Sequence, residues 1–537
     1  MMTGAEAVAA ALAAAGVKRI HGVPGGGSSL ALIEAAAARG IRFVLARQET
    51  AAVIMAATEA ELTGRPGVAL VTRGPGVSNA ANGMAQASLD RAPVLLLADG
   101  FTGAERAFVN HQFFDHAALL APVTKGAARA VEPGAAAGVM AASLLALAMQ
   151  APRGPVLLEL SAAAARAPAL PPPLADAAPP SFVRGAAFSE ANRILSAARH
   201  PVLIAGLEAA EPAACAALRG LIARLGCPAL VTYKAKGVVP DSDPLFAGVF
   251  TGGAAEALVL AEADCIILAG ADPVEFIPQP WRYAAPIIEL ATAPRPLAYH
   301  APEVALHGPL APALAALDAP RSAWAPEAIA RHRRRWRESL GNGPSGNRGL
   351  SPQAVVELAQ AACREAGAEP RIAVDAGAHM FPCTSFWEAS HPGDLLISNG
   401  LATMGFALPA AIAAAILDPA RGAVAFTGDG GLLMALGELA TAAVLGARLT
   451  VIVFNDATLS LIDIKKDGRS IPEAALGWPE ADFATAFMAL GGTGLRAGNE
   501  AEYRAALAEA LGASGPVLLD VRVDPSSYPS QIKALRG

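Results

Sequence analysis

The stretch Ala423-Val424-Ala425-Phe426-Thr427-Gly428-Asp429-Gly430-Gly431-Leu432 reads as a short apolar strand, a glycine turn around one aspartate, and a helix opening near Leu432. Bare glycines let the backbone approach an anion such as a phosphate, and free N–H groups at a helix start favour negative charge. Asp429 can then hold a divalent cation beside that anion. A second turn follows one helix and one strand later, where the run Leu449 to Phe454 ends in Asn455-Asp456-Ala457-Thr458. Ligands of open parallel sheets collect at the carboxyl ends of the strands, so Asp429, Asp456 and a backbone carbonyl could all offer hard oxygens to one Mg²⁺. Taken alone, Gly-Asp-Gly is also a common way to turn a chain.

Working outward, short β-branched or leucine runs alternate with alanine-rich helical stretches, which predicts an α/β protein of parallel sheets covered by helices on both faces. Strands are expected at Phe43 to Leu45, Val68 to Thr72, Val94 to Leu97 and Val156 to Glu159 in a first unit. A second has Val202 to Ala205, Ala229 to Thr232, Cys265 to Ala269 and Pro286 to Leu290; a third has Arg371 to Val374, Ala423 to Phe426, Leu449 to Phe454 and Val517 to Val523. The proline- and alanine-dense segment Ala167 to Pro180 and the Gly/Ser-rich stretch Gly341 to Ser351 separate them. Three doubly wound parallel-sheet domains result, at about 1–170, 186–335 and 350–537.

Composition narrows the function. The 537 residues are 54% hydrophobic, 16% charged and 5% aromatic, with a net charge of −6, which suits a large globular chain. Scattered Lys and Arg leave no nucleic-acid footprint, and the run Arg333 to Arg335 reads as a solvated helix face. Five cysteines without CxxC spacing suggest neither a disulfide framework nor a zinc site, which fits a reducing cytoplasm. No secretory signal is evident. The charge-free stretch Leu395 to Leu417 is broken by Ser398, Asn399, Gly400, Gly405 and Pro409, so no membrane span is expected.

The two acidic turns resemble the thiamine-diphosphate motif of the superfamily that holds acetohydroxyacid (acetolactate) synthase, pyruvate oxidase and pyruvate decarboxylase. The similarity runs along nearly the whole chain, and it is strongest to acetolactate synthase-like enzymes. Gly22-Val23-Pro24-Gly25-Gly26-Gly27 is similar to the family's glycine loop and Arg47-Gln48-Glu49 to its catalytic glutamate segment. Thr72-Arg73-Gly74-Pro75-Gly76 resembles its GPG turn, and Asn399 to Phe406 its pyrimidine-binding segment. The resemblance implies pyrimidine-binding, middle and diphosphate-binding domains, with thiamine diphosphate and Mg²⁺ as cofactors.

It also implies roles. Glu49 would sit against the pyrimidine nitrogen and drive the exocyclic amine into the imino form that takes the C2 proton, and the apolar Ala51 to Ala57 after it would keep water away. Asp429, Asp456 and the Thr458 carbonyl would ligate Mg²⁺, although relatives usually carry asparagine where Asp456 stands. Gly428, Gly430, Gly431 and His379 would face the diphosphate. Met404 would wedge the cofactor from below while Ala402 and Met404 bind the pyrimidine through their backbones, with Leu461 and Ile462 above it. Gln112 and the bare Gly26 would face the reacting groups. Pyruvate decarboxylases bear a histidine pair near that glycine turn; His111 and His116 could substitute for it or simply be solvated.

Two departures stand out. Lys465 replaces a tryptophan that shapes the second-substrate pocket of the synthases; it could select an anionic acceptor or point to solvent. Phe250 and Asp272 stand where flavin-binding relatives have a histidine and an arginine, so FAD is doubtful. The expected activity is decarboxylation of a 2-oxo acid with carboligation to a second carbonyl compound, in a cytoplasmic homodimer or homotetramer whose active sites lie between subunits. A 2-hydroxyacyl-CoA or acyloin lyase, a simple 2-oxo acid decarboxylase and a non-catalytic paralogue are the alternatives. Gly252 to Ala255 offers no arginines for a nucleotide, and the intact Glu49 argues against the paralogue.

Overall fold

The computed structural model describes residues 2–173, 182, 184–276, 280–295, 300–341, 343, 346–466 and 468–536, so most of the proline-rich stretch expected as a linker lies outside the described residues. Three parallel six-stranded sheets form, each flanked by helices. The first contains Arg19–Val23, Arg42–Leu45, Gly67–Val71, Val94–Gly100, Ala127–Ala130 and Val156–Ser161. The second contains Pro201–Ala205, Ala229–Val231, Phe246–Val249, Cys265–Ala269, Ile287–Ala291 and Val304–His307. The third contains Arg371–Val374, Leu395–Ile397, Ala423–Gly428, Leu449–Asn455, Thr493–Ala497 and Val517–Arg522. With strands counted in chain order within each sheet, the first and third sheets share the order 2-1-3-4-6-5 and the middle one has 3-2-1-4-5-6.

Six of these strands are absent from the sequence-based expectation, and five of the six lie at sheet edges. Four of these edge strands carry arginine, histidine or glycine and so write no unbroken apolar run, and the fifth, Leu395–Ile397, is only three residues long. Interior strands such as Val94–Gly100 and Leu449–Asn455 are buried along their whole length, which is why their runs are legible. A further correction concerns the decisive turn: the helix begins at Asp429 rather than near Leu432, so Asp429, Gly430 and Gly431 form its first turn.

Alanine abundance has a packing reason. Helix Ala407–Leu417 lies between the third sheet and helix Glu49–Thr63 of the first domain, and Ala410, Ala411, Ala413 and Ala414 are buried there beside Ile54 and Met55. Small side chains allow that close approach. Polar ties fix the three domains around the segment expected to hold the pyrimidine. Asp90 accepts from the N–H groups of Asn399 (3.1 Å) and Gly400 (2.8 Å), and its neighbour Arg91 forks onto Asp272 at 2.8 and 3.2 Å. Buried Lys234 donates to Glu61 (2.5 Å) and to the Ile397 carbonyl (3.2 Å), joining all three domains. All five cysteines are free and buried, and no described helix is long and apolar enough to cross a membrane.

Candidate active site

Strands Ala423–Gly428 and Leu449–Asn455 run side by side with Gly428 opposite Phe454, so the two acidic turns leave the sheet together at its carboxyl edge. Asp429 is 3% exposed. Its Oδ1 accepts from the Gly430 N–H (2.7 Å) and its Oδ2 from the Ala457 N–H (2.6 Å), so the first turn is bonded directly to the second. Ala457 has φ +60°, a strained left-handed conformation for a residue with a Cβ, as found where function fixes a backbone. Asp456 is half-buried and takes a hydrogen bond from the Ser460 hydroxyl. Burial and then the Asp456 carboxylate push Asp429 up to about 7, and burial pushes Asp456 up to about 6.

Among the described residues, neither carboxylate forms a direct ion pair, and only the more distant charge of Arg522 bears on Asp456. A buried and a half-buried acid sharing an edge without an ion-paired cation form a donor set that fits a hard divalent ion. No described cluster of three or more His, Cys, Asp or Glu could hold a metal by itself, so further ligands must be backbone or ligand oxygens. The Thr458 carbonyl, which accepts one N–H from Ser460 at 2.9 Å, keeps a free lone pair.

His379 is fully enclosed, stacked on Phe454 at 5.3 Å, and its Nε2 has no partner. Burial pushes it down to about 3, so the ring is neutral. The ring is thus packed into the core at the turn rather than held on an exposed loop. A Cβ on Gly428 would come within 3.1 Å of that ring, and one on Gly430 within 3.3 Å of Met404 Cε. These glycines are required by close approach. Ala402 is exposed with φ +53°, turning the backbone just before Met404, and Thr403 accepts a hydrogen bond from Asn82 of the first domain at 3.0 Å. Leu461 is half-buried and Ile462 is 47% exposed on the one-turn helix Ser460–Asp463, while Lys465 beyond it is exposed.

Asp375 was not singled out in the sequence, yet it ties both cofactor segments together. It is 0% exposed and accepts from the Gly405 and Phe406 N–H groups (3.1 Å each), the Thr427 hydroxyl (2.9 Å) and the Ala376 N–H (3.0 Å). Burial still pushes it up to about 6 despite these four donors. Its only sequence signal is an aspartate at a strand end.

At the edge of the first sheet, Glu49 opens helix Glu49–Thr63 and is 8% exposed. Asn79 Nδ2 donates to Glu49 Oε2 at 3.1 Å, and the Thr50 hydroxyl donates to the Asn79 carbonyl at 2.5 Å. Gly25 and Gly27 are pressed against buried Asp99, whereas a Cβ on Gly26 would meet nothing within 4 Å. Asp99 anchors this loop by accepting from the Ser28 hydroxyl (2.7 Å) and the Ser29 N–H (2.9 Å). Gln112 is exposed with φ +59°, its carbonyl against Gly74. His111 is exposed; His116 is buried, accepts from the Gly74 N–H at 3.0 Å and lies 3.3 Å from Glu159. His116 is therefore neither solvated nor a free proton donor.

In the middle domain, Asp272 is buried between Arg91 and Arg295 (2.8 Å), which hold its carboxyl below the usual range although burial alone would raise it. The turn Gly252 to Ala255 is capped by the C-terminal helix Tyr528–Arg536, with the Ala255 N–H donating to the Ala534 carbonyl at 2.8 Å.

Three family descriptions match the chain: the thiamine pyrophosphate enzyme N-terminal TPP binding domain over residues 2–119, the central domain over 188–317, and the C-terminal TPP binding domain over 375–521. The chain is 30% identical to acetolactate synthase of Bacillus subtilis, over 97% of this chain and 93% of that protein. It is also 30% identical to the catabolic acetolactate synthase of Raoultella terrigena, over 98% and 96%. A probable 2-ketoarginine decarboxylase of Pseudomonas aeruginosa is 30% identical over 97% and 94%. Matched in all three domains and along nearly its whole length, the chain belongs to the thiamine pyrophosphate enzyme family and is a thiamine-diphosphate-dependent enzyme.

Proposed function

We propose that the protein uses thiamine diphosphate and Mg²⁺ to decarboxylate a 2-oxo acid and to join the remaining acyl unit to a second carbonyl compound, as its acetolactate synthase relatives' names describe. The observation that carries the reading is the pair of carboxylates at one strand edge, buried Asp429 and half-buried Asp456, beside the unpartnered Nε2 of His379. Thiamine diphosphate, when bound, supplies the acidic carbon that takes up the acyl unit as CO₂ leaves.

Asp429, Asp456 and the Thr458 carbonyl would hold Mg²⁺, and neutral His379 would donate from Nε2 to a diphosphate oxygen. Backbone groups of Ala402 and Met404 bind the pyrimidine, and the Met404 thioether props it. Glu49, kept from water and oriented by Asn79, passes a proton to and from the pyrimidine nitrogen. Gly26 leaves open space for the reacting carbonyl, and Gln112 offers its amide to the acceptor. Exposed His111 and committed His116 leave no histidine poised to protonate the product, which favours carboligation over aldehyde release.

Two copies of the chain build each site. Glu49 takes its side-chain hydrogen bond from its own domain, and Leu433 and Met434, on the helix after the glycine turn, are exposed apolar residues that a second copy would cover. Incubation with thiamine diphosphate, Mg²⁺ and a panel of 2-oxo acids, hydroxyacyl-CoAs and acyloins, with products identified by mass spectrometry, tests the reading. A hydroxy-oxo ligation product is expected. Aldehyde alone would leave a decarboxylase, the activity named for the Pseudomonas relative, and cleavage of an acyl-CoA or acyloin without ligation would make it a lyase.

A further inference from the structure

The segment that follows the metal turn folds back onto it. The Leu459 N–H and the Thr458 hydroxyl both donate to the Leu476 carbonyl (2.8 and 3.1 Å), Thr458 pairs with Gly477 across an antiparallel bridge, and the Trp478 N–H donates to the Ala457 carbonyl at 3.1 Å. Ala457 is the residue whose own N–H binds Asp429. Trp478 is thus hung from the residue that joins the two acidic turns.

Its ring reaches the glycine turn. A Cβ placed on Gly430 would lie 3.0 Å from Trp478 Cη2, 3.1 Å from Leu459 Cδ2 and 3.3 Å from Met404 Cε, so indole, leucine and methionine converge on the second glycine of the turn. The indole nitrogen is buried and has no acceptor. Buried polar groups are almost always partnered, and an indole N–H can only donate, so what it lacks is an oxygen. The other unpartnered ring nitrogen of this turn, His379 Nε2, belongs to the ring that packs on Gly428.

We propose, resting on the reading of this turn as the diphosphate site, that Trp478 is a cofactor-binding residue: its indole closes the site over Gly430 and its Nε1–H donates to a diphosphate oxygen. An anion is favoured over a neutral substrate because the indole N–H can only donate and hangs beside Gly430, where a diphosphate would offer charged oxygens.

The variant W478F keeps an aromatic ring and removes both the N–H and this one of the chain's five tryptophan fluorophores. Calorimetric titration with Mg²⁺ and thiamine diphosphate, and separately with Mg²⁺ and pyrophosphate, should show both affinities about tenfold weaker in W478F than in wild type. Tryptophan emission of the wild type should change on adding Mg²⁺ and pyrophosphate, and W478F should lose that change. Equal affinities, or an emission response that survives in W478F, would overturn the contact. The wild-type emission needs no variant, and its constancy at saturating pyrophosphate would also overturn it. A wild type that binds neither ligand refutes the proposed function and this contact together, whereas binding by both proteins with equal affinity removes Trp478 alone.

Discussion

Replacing Asp429 with asparagine should separate folding from cofactor binding. The carboxylate accepts two backbone hydrogen bonds, from Gly430 at 2.7 Å and Ala457 at 2.6 Å. Asparagine can keep one and turns its NH₂ toward the other N–H, leaving a buried donor unsatisfied at a cost of about 1–3 kcal/mol. Against that, burial and the Asp456 carboxylate raise the acid from 3.8 to about 7. At 1.36 kcal/mol per pH unit, the ionised form costs the metal-free protein about 4 kcal/mol. Because the folded pKa lies above the unfolded one, this cost is complete only above pH about 7 and fades as the pH falls toward 3.8. At pH 8 and without metal, D429N should therefore melt at or above the wild-type temperature, and its advantage should shrink at pH 5. Calorimetric titration with Mg²⁺ and thiamine diphosphate should nevertheless show binding lost, since one of two charged ligands is gone. Metal-free D429N less stable than wild type by several kcal/mol at pH 8, or binding the cofactor within a few-fold of wild type, would refute the reasoning.

Glu49→Gln should retain the cofactor but slow hydrogen–deuterium exchange at its C2 position by orders of magnitude, because an amide cannot cycle the proton; a wild-type exchange rate would remove the role. The purified protein should show no visible flavin band after gel filtration and no gain of activity with FAD, since Arg91 and Arg295 are committed to Asp272 and are not free to bind a flavin's diphosphate. Lys465→Met should raise the KM for an anionic acceptor while donor decarboxylation continues; an unchanged acceptor preference and salt dependence would assign this exposed lysine to the surface and direct attention to Gln112, Phe113 and Leu461.

The ion pair between Arg91 and Asp272 gives the middle domain a structural part in the site. Arg91, at φ +58°, adjoins Asp90, which holds the N–H groups of Asn399 and Gly400, and Ala402 follows two residues later. The position read as a lost flavin contact also ties the middle and first domains, beside the segment that carries Met404.

The sequence by itself determined the α/β class, every interior strand but Arg19–Val23, and both acidic turns. Interior parallel strands are buried on both faces and must be apolar throughout, and a glycine turn at a strand end is written in consecutive residues. Beyond Arg42–Leu45, only the tertiary structure decided the edge strands, whose half-buried or very short runs resemble loops. It also decided the parts of the site that depend on residues distant in the chain. Asp375 became a staple because Gly405 and Thr427 come to it, His379 lost its water because Phe454 stacks on it, and His116 was claimed by Gly74. Trp478 carried no signal at all, because nothing in its neighbours shows that a returning loop brings an indole against Gly430. Local periodicity and turn chemistry act over a few residues, whereas the burial and hydrogen-bond partners of a side chain are set by whichever element the fold brings to it.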